Sequence, residues 1–182
     1  MHDTSIPILV VTGASGAGKT SSVTALEARA QSGTACFYFD SIGVPTPEVI
    51  ERDFGSGERW QADATNRWIM RMIGEGSPTT VNVLDGQTRP SFVRAALARV
   101  SHSRSQIVLL DCDAEVRRVR LVARGQGDLA IPQMETWAAY LRGQADALGL
   151  PVIDTSRLST EQVADALHEL VESLRATTGS TC

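Results

Sequence analysis

An α/β fold, in which a parallel sheet carries helices on both faces, is predicted by three observations. Short, β-branched apolar runs alternate along the chain with stretches of helical periodicity. Four of those runs are followed by an aspartate, at Asp40, Asp85, Asp111 and Asp154. The first run feeds a glycine-rich turn that opens straight into a helical stretch. With 182 residues the chain can bury a core without disulfides or structural metal, so one domain spanning 1–182 is expected.

Ile8–Val11 reads as a buried parallel strand, and the stretch from Lys19 as a helix with Val23, Leu26 and Ala30 on one face. The next strands are expected at Ala35–Phe39, Thr80–Leu84, Gln106–Leu110 and Pro151–Ile153. Helices are expected near residues 59–73, 91–101, 114–124, 133–148 and 159–175. The last begins at a capping box, Ser159 with Gln162 three residues on. Residues 176–182 are expected to form a disordered tail. The segment 41–79 interrupts the alternation with Pro45, Pro47, Gly55 and Gly57, and is longer than a minimal crossover. It is the expected place for gripping a second substrate. Trp60, Trp68 and Met72 recur at helical spacing there, as core residues or as a ring-stacking surface.

Composition narrows the function classes. A net charge of −4 argues against a nucleic-acid or membrane-surface role. No apolar run approaches the length of a membrane span, and the first residues lack signal-peptide character, so a cytoplasmic protein is expected. Cys36, Cys112 and Cys182 are too scattered for a disulfide framework or zinc site; Cys36 and Cys112 fall in or beside core strands, as buried thiols. His2, His102 and His168 have no ligand-like neighbours in sequence and are expected at the surface.

The turn after the first strand carries the chemistry. Gly13–Thr20 fits G-x-x-x-x-G-K-[ST] at every fixed position, and Lys19 is the only lysine beside an abundance of arginine. A compact ammonium threads between phosphate oxygens where a planar guanidinium is too wide. Gly13, Ala14, Ser15, Gly16, Ala17, Gly18, Lys19, Thr20 and Ser21 are therefore expected to hold a nucleoside triphosphate, ATP, with Thr20 reaching Mg²⁺. Asp85, ending an apolar strand, is the second metal candidate, or else a helix cap. Gly86 allows close backbone approach, and Arg89 is placed to enter the cleft. Asp40 suits a general base or an acceptor-binding carboxylate, against the plainer reading of a turn former. Arg117, Arg120 and Arg124 share one helical face, as a cluster closing over triphosphate or as a face salt-bridged by Asp113 and Glu115. Arg118 points elsewhere. Residues 117–132, with the Gly-bearing GQGDLAIP, suit a short hinged lid, and Arg142 on the following helix is a further candidate for the cleft.

With these residues assembled, the chain resembles the nucleoside monophosphate kinase branch of P-loop kinases, adenylate kinase especially. LDGQTR at 84–89 is similar to that family's LDGFPR, which implies that Arg89 grips an acceptor phosphate. Arg120 and Arg124 are similar to its lid arginines, which contact the transferring phosphates. VIDTSRLSTEQVADAL resembles the ending of several such kinases. Gln87 and Thr88 replace the family's aromatic–proline pair, and no arginine closely follows Asp40. Small-molecule kinases of the shikimate, gluconate and chloramphenicol-phosphotransferase type share the core and place an aspartate like Asp40 near the acceptor hydroxyl. Either resemblance implies a five-stranded sheet of order 2-3-1-4-5.

The expected function is ATP- and Mg²⁺-dependent phosphoryl transfer, with catalytic roles for Lys19, Asp40, Arg120 and Arg124. Gly86, Arg89 and Arg142 join Asp40 on the acceptor, which is nucleoside monophosphate-like or a hydroxylated small molecule. The competing expectation is a nucleotide-binding, ATP-hydrolysing module that regulates a protein partner through a surface on 41–79. Neither reading fixes an oligomeric state.

Overall fold

The computed structural model describes residues 6–29, 33–77 and 79–176; of the tail expected at 176–182, Ala176 belongs to the last helix, and the rest, with Cys182 and His2, lies outside the described residues. Five strands pair in one wholly parallel sheet of order β2-β3-β1-β4-β5: β1 (Ile8–Thr12), β2 (Thr34–Tyr38), β3 (Val81–Asp85), β4 (Ser105–Asp111) and β5 (Val152–Asp154). Seven α-helices are described: α1 (Lys19–Arg29), α2 (Pro47–Phe54), α3 (Gly57–Glu75), α4 (Pro90–Arg99), α5 (Ala114–Ala123), α6 (Pro132–Leu148) and α7 (Thr160–Ala176).

The strands sort their side chains by parity, because successive residues face opposite sides of a sheet. Leu9, Val11, Val81, Val83, Val108 and Leu110 pack under α1 and α7. Ile8, Val10, Leu84 and Ile107 face the other way, onto α3 and α4, while Leu109 meets α6. Helices thus cover both faces. Ser159 caps α7 as the capping box requires: its Oγ accepts from the Gln162 amide at 3.2 Å, and Gln162 Oε1 accepts from the Ser159 amide at 2.9 Å.

Three expectations change. Pro47 does not break the 41–79 segment but starts α2, at the first helical position where its missing N–H is harmless. Thr46 caps that helix, accepting from the Val49 amide at 3.5 Å. Trp60, Trp68 and Met72 are buried. Trp60 meets Phe39 edge-on, and the Trp68 indole donates to the Phe39 carbonyl at 3.0 Å. Of the two readings of these residues the core one holds, and the tryptophan docking surface of the competing expectation falls away. Third, β2 runs Thr34–Tyr38, one residue earlier than the expected Ala35–Phe39, and Asp40, expected just past the strand, lies in a 3-10 turn, Phe39–Ile42. Cys112 is buried as expected, whereas Cys36 is only half-buried. Among the described residues, no helix is long and apolar enough to cross a membrane.

Candidate phosphotransfer site

The connections that leave the neighbouring strands β1 and β3 run towards opposite ends of the sheet, to β2 and β4, and the C-terminal ends of β1 and β3 border the resulting crevice. The turn Gly13–Thr20 sits there. Its glycines are required by space as well as by backbone conformation. At Gly13, with φ +152°, a Cβ would lie 2.2 Å from the Leu110 carbonyl oxygen; at Gly16, with φ +85°, it would lie 2.8 Å from Arg117 Cγ. The loop is thus pressed onto β4 and α5, with its concave side left to solvent.

Inside the loop Lys19 is only 8 % exposed, and its Nζ donates to the Ala14 carbonyl at 3.1 Å. Burial lowers the ammonium's pKa below its ordinary value, an effect opposed chiefly by Asp85. Thr20 Oγ1 donates to Asp85 Oδ2 at 2.5 Å. Asp85 is 5 % exposed; burial raises its carboxyl's pKa, and Lys19 and Thr20 pull it back. A hydroxyl and a carboxylate in contact, beside a buried ammonium, make a hard-oxygen pair of the type Mg²⁺ takes when phosphates and water complete its shell. The donors fit that ion, and the loop's open concavity fits a phosphate chain.

A cleft of about 250 Å³ opens over this pair, lined by Ser15, Lys19, Thr20, Asp40, Asp85 and Gly86, with Arg124 and Gln126 at its margin. Asp40 is exposed in that cleft. Gly86, just past β3, lets the chain pass against the 3-10 turn that holds Asp40: a Cβ there would lie 2.8 Å from Phe39 Cβ. A second cavity of about 240 Å³ lies behind the loop, between Ser21, Arg120, Arg124, Thr155 and Leu158. Arg120 donates to Thr155 Oγ1 at 2.9 Å and to the Thr155 carbonyl at 2.7 Å, and approaches the Gly16 carbonyl at 3.4 Å. Thr155 Oγ1 in turn donates to the Ala17 carbonyl at 2.9 Å. The start of the α7 connection is thereby bonded to the loop.

The arginine face divides. Arg120 and Arg124 border the loop, but Arg117 is 2 % exposed and pairs with Asp111 and Glu135, each at 3.1 Å. It also donates to the Cys112 carbonyl at 2.8 Å. The expectation that Arg117 joins a triphosphate cluster is corrected: it is salt-bridged, as the alternative had it, but by Asp111 on β4 and Glu135 on α6 and not by Asp113 and Glu115. Arg118 pairs with Glu115 at 2.6 Å on the surface. Arg142 is held by Asp146 at 3.1 Å and faces Asp111 at 3.7 Å, and does not line the loop cleft. Of the four strand-end aspartates only Asp40 and Asp85 reach the cleft. Asp111 serves Arg117, and Asp154 accepts from Ser156 Oγ at 2.6 Å, which lowers its pKa below the usual carboxylate range.

Arg89 lies at the end of a polar chain that sequence reasoning missed. Ser15 Oγ donates to Gln87 Oε1 at 2.8 Å; Gln61 Nε2 donates to the Gln87 carbonyl at 2.9 Å; Arg89 Nη1 donates to Gln61 Oε1 at 2.6 Å. The guanidinium rests over Phe92, Trp137 and Tyr140, its carbon 5.2, 4.9 and 5.7 Å from the ring centroids. Trp137 and Tyr140, three apart on α6, carried a helical signal but nothing that pointed to Arg89.

The fold is that of P-loop kinases. The chain is similar in structure to shikimate kinase from Acinetobacter baumannii solved with shikimate (18 % identity, 92 % of this chain and 94 % of that one, TM-score 0.61). It is similar to the tunicamycin resistance protein of Deinococcus radiodurans (19 % identity, 97 % of each chain, TM-score 0.61). Thymidylate kinase from Candida albicans matches at 13 % identity over 94 % of this chain and 93 % of that one, with a TM-score of 0.60. At these identities the likeness establishes the fold. No protein-family model and no curated protein matches the sequence.

Proposed function

We propose that this protein is an ATP-dependent phosphotransferase that moves the γ-phosphoryl group to a hydroxyl of a small molecule. The observation that carries the reading is the juxtaposition, in one cleft, of the buried Lys19, the bonded Thr20–Asp85 pair and the exposed carboxylate of Asp40. Phosphoryl transfer needs its charge held and its acceptor oriented, and little covalent help from protein.

The loop amides from Gly13 to Thr20 hold the β- and γ-phosphates, and Lys19 sets its ammonium against their oxygens. Thr20 and Asp85 hold Mg²⁺, which when bound offsets charge on those oxygens. Asp40 accepts the acceptor's hydroxyl proton as the oxygen bonds to the γ-phosphorus. The bond between that phosphorus and the β–γ bridging oxygen breaks, leaving ADP and a phosphate monoester. Arg124, at the cleft margin, meets charge developing on the transferred group, and Arg120 keeps the rear of the loop in register with Thr155. The nucleoside lies in the cavity behind the loop, against Leu158 and Val163. Of the lid expected at 117–132, residues 117–123 belong to α5, and in this reading the remainder closes over the cleft and limits hydrolysis by water.

The test is transfer of label from γ-labelled ATP to panels of sugars, amino alcohols, nucleosides and nucleoside monophosphates. Labelling of a hydroxyl-bearing acceptor, lost in Lys19→Ala, supports the reading. Hydrolysis without any labelled acceptor, accelerated by a protein partner, would replace it with a regulatory nucleotide-binding module.

A further inference from the structure

We propose that the acceptor is an uncharged alcohol with a flat ring face, bound in the cavity beside Arg89, and that Glu58 is the residue that turns phosphorylated acceptors away. This rests on the phosphotransferase reading above and names the substrate class of its acceptor site.

The cavity measures about 320 Å³ and is lined by Glu58, Arg89, Gln133, Thr136, Trp137 and Tyr140. That volume suits a ring-sized molecule. Arg89 is the one cation among these lining residues, and it has partners of its own. One face of the guanidinium system is taken by aromatic rings, Nη1 is bonded to Gln61, and Glu58 Oε2 stands 3.8 Å from Nη2. The Arg89 side chain is only 18 % exposed, whereas Glu58 is 64 % exposed, at the cavity's mouth. A phosphate dianion entering here would face the Glu58 carboxylate before it reached the guanidinium, which already donates to Gln61. Like charges at that range disfavour it.

The remaining wall suits the opposite kind of ligand. Trp137 and Tyr140 stack on one another, centroids 5.4 Å apart and planes 20° from each other, giving this wall an aromatic character. Gln133 and Thr136 add neutral polar groups. A hydroxylated ring stacked on this wall is complementary to all of these at once.

Two hydrogen bonds through Gln61 link the wall of this cavity to that of the loop cleft: Arg89 donates to the Gln61 carboxamide, which donates to the Gln87 carbonyl, and Gln87 lines the loop cleft with Asp40. A molecule lying across Gln61 keeps its ring on Trp137 and Tyr140 while presenting a hydroxyl to Asp40.

Trp137 fluorescence tests the assignment, since Trp60 and Trp68 are buried in the core and Trp137 is the tryptophan of this cavity. Matched pairs differing only by a phosphate, uridine with UMP and phenyl glucoside with its 6-phosphate, are titrated without ATP. The expected result is that the uncharged member of a pair changes the signal at about tenfold lower concentration than its phosphorylated partner. Trp137→Phe removes the response, and Glu58→Lys reverses the order of each responding pair. Glu58→Gln, the milder change at an exposed position, narrows the difference. Tighter or equal binding of the phosphorylated members would overturn the proposal. So would an unchanged order in Glu58→Lys, or no response from any member up to about 10 mM. Because no nucleotide is present, such a failure leaves phosphoryl transfer standing, and a failure of Mg-ATP binding leaves this titration unaffected.

Discussion

Replacing Arg117 with alanine should destabilise the protein far more than replacing its neighbour Arg118, although the two differ by one position on α5. Arg117 is 2 % exposed and bridges Asp111 on β4 to Glu135 on α6, while its Cγ supports the loop below Gly16. Removing one partner of a buried ionic network strands the others, at about 3–5 kcal/mol. Asp111 and Glu135 keep partial access to water, so the lower figure applies, about 3 kcal/mol. For a chain of this length that corresponds to a fall of roughly 6–12 °C in Tm. Arg118 pairs with Glu115 in open solvent, and its loss should cost below about 1 kcal/mol. Urea and thermal unfolding of the two variants beside the parent protein provide the comparison. Equal losses in both would refute the argument. So would an Arg117→Ala protein of parental stability that had lost only ATP affinity, because that result would return Arg117 to the phosphates.

Gly13→Ala should be more damaging than its small size suggests. With a Cβ placed 2.2 Å from the Leu110 carbonyl the loop or β4 must shift, and a loss of about 3 kcal/mol in urea unfolding is expected. Asp40→Asn should lower kcat by about 100-fold or more while leaving Mg-ATP affinity near that of the parent, since Asp40 lies in the cleft and outside the loop. Near-normal turnover would remove the proton-accepting role. The thiols should resist alkylation at pH 8. Burial, with Glu27 and Asp85 adding to it, raises the Cys36 pKa to about 12, and burial raises that of Cys112 against the pull of Arg117 and Arg120. In a Cys182→Ser protein, iodoacetamide should therefore react slowly until urea is added. The contribution of Cys36 to stability is present below its unfolded pKa near 9.0 and is lost as pH rises towards about 12. Rapid labelling of the folded protein would contradict the burial argument.

What was legible in the sequence was what is local. A turn from strand to helix, with glycines where neither a Cβ nor another backbone conformation fits, writes its geometry into eight consecutive residues. Gly13 to Thr20 could therefore be placed before any coordinates. The strands were legible because a parallel sheet buried on both faces needs continuous apolar runs. Helical spacing grouped Arg117 with Arg120 and Arg124 but could not say what each meets. Asp111 and Glu135, which decide the fate of Arg117, arrive through β4 and α6. The same limit hid the surroundings of Arg89. Its motif was visible, but Gln61, Trp137 and Tyr140 come from segments dozens of residues away on either side. Thr46 and Pro47 were a readable helix start, overlooked because two prolines and two glycines nearby suggested irregular chain.

The most direct measurement is a calorimetric titration of Mg-ATP into the folded protein and into Lys19→Ala. The parent should bind one equivalent with a dissociation constant in roughly the micromolar to millimolar range. Removing the ammonium should weaken that binding on the order of 100-fold, the value of a charge-assisted bond to phosphate. Absence of heat with the well-folded parent, or equal affinity in the two proteins, would contradict the account at its base.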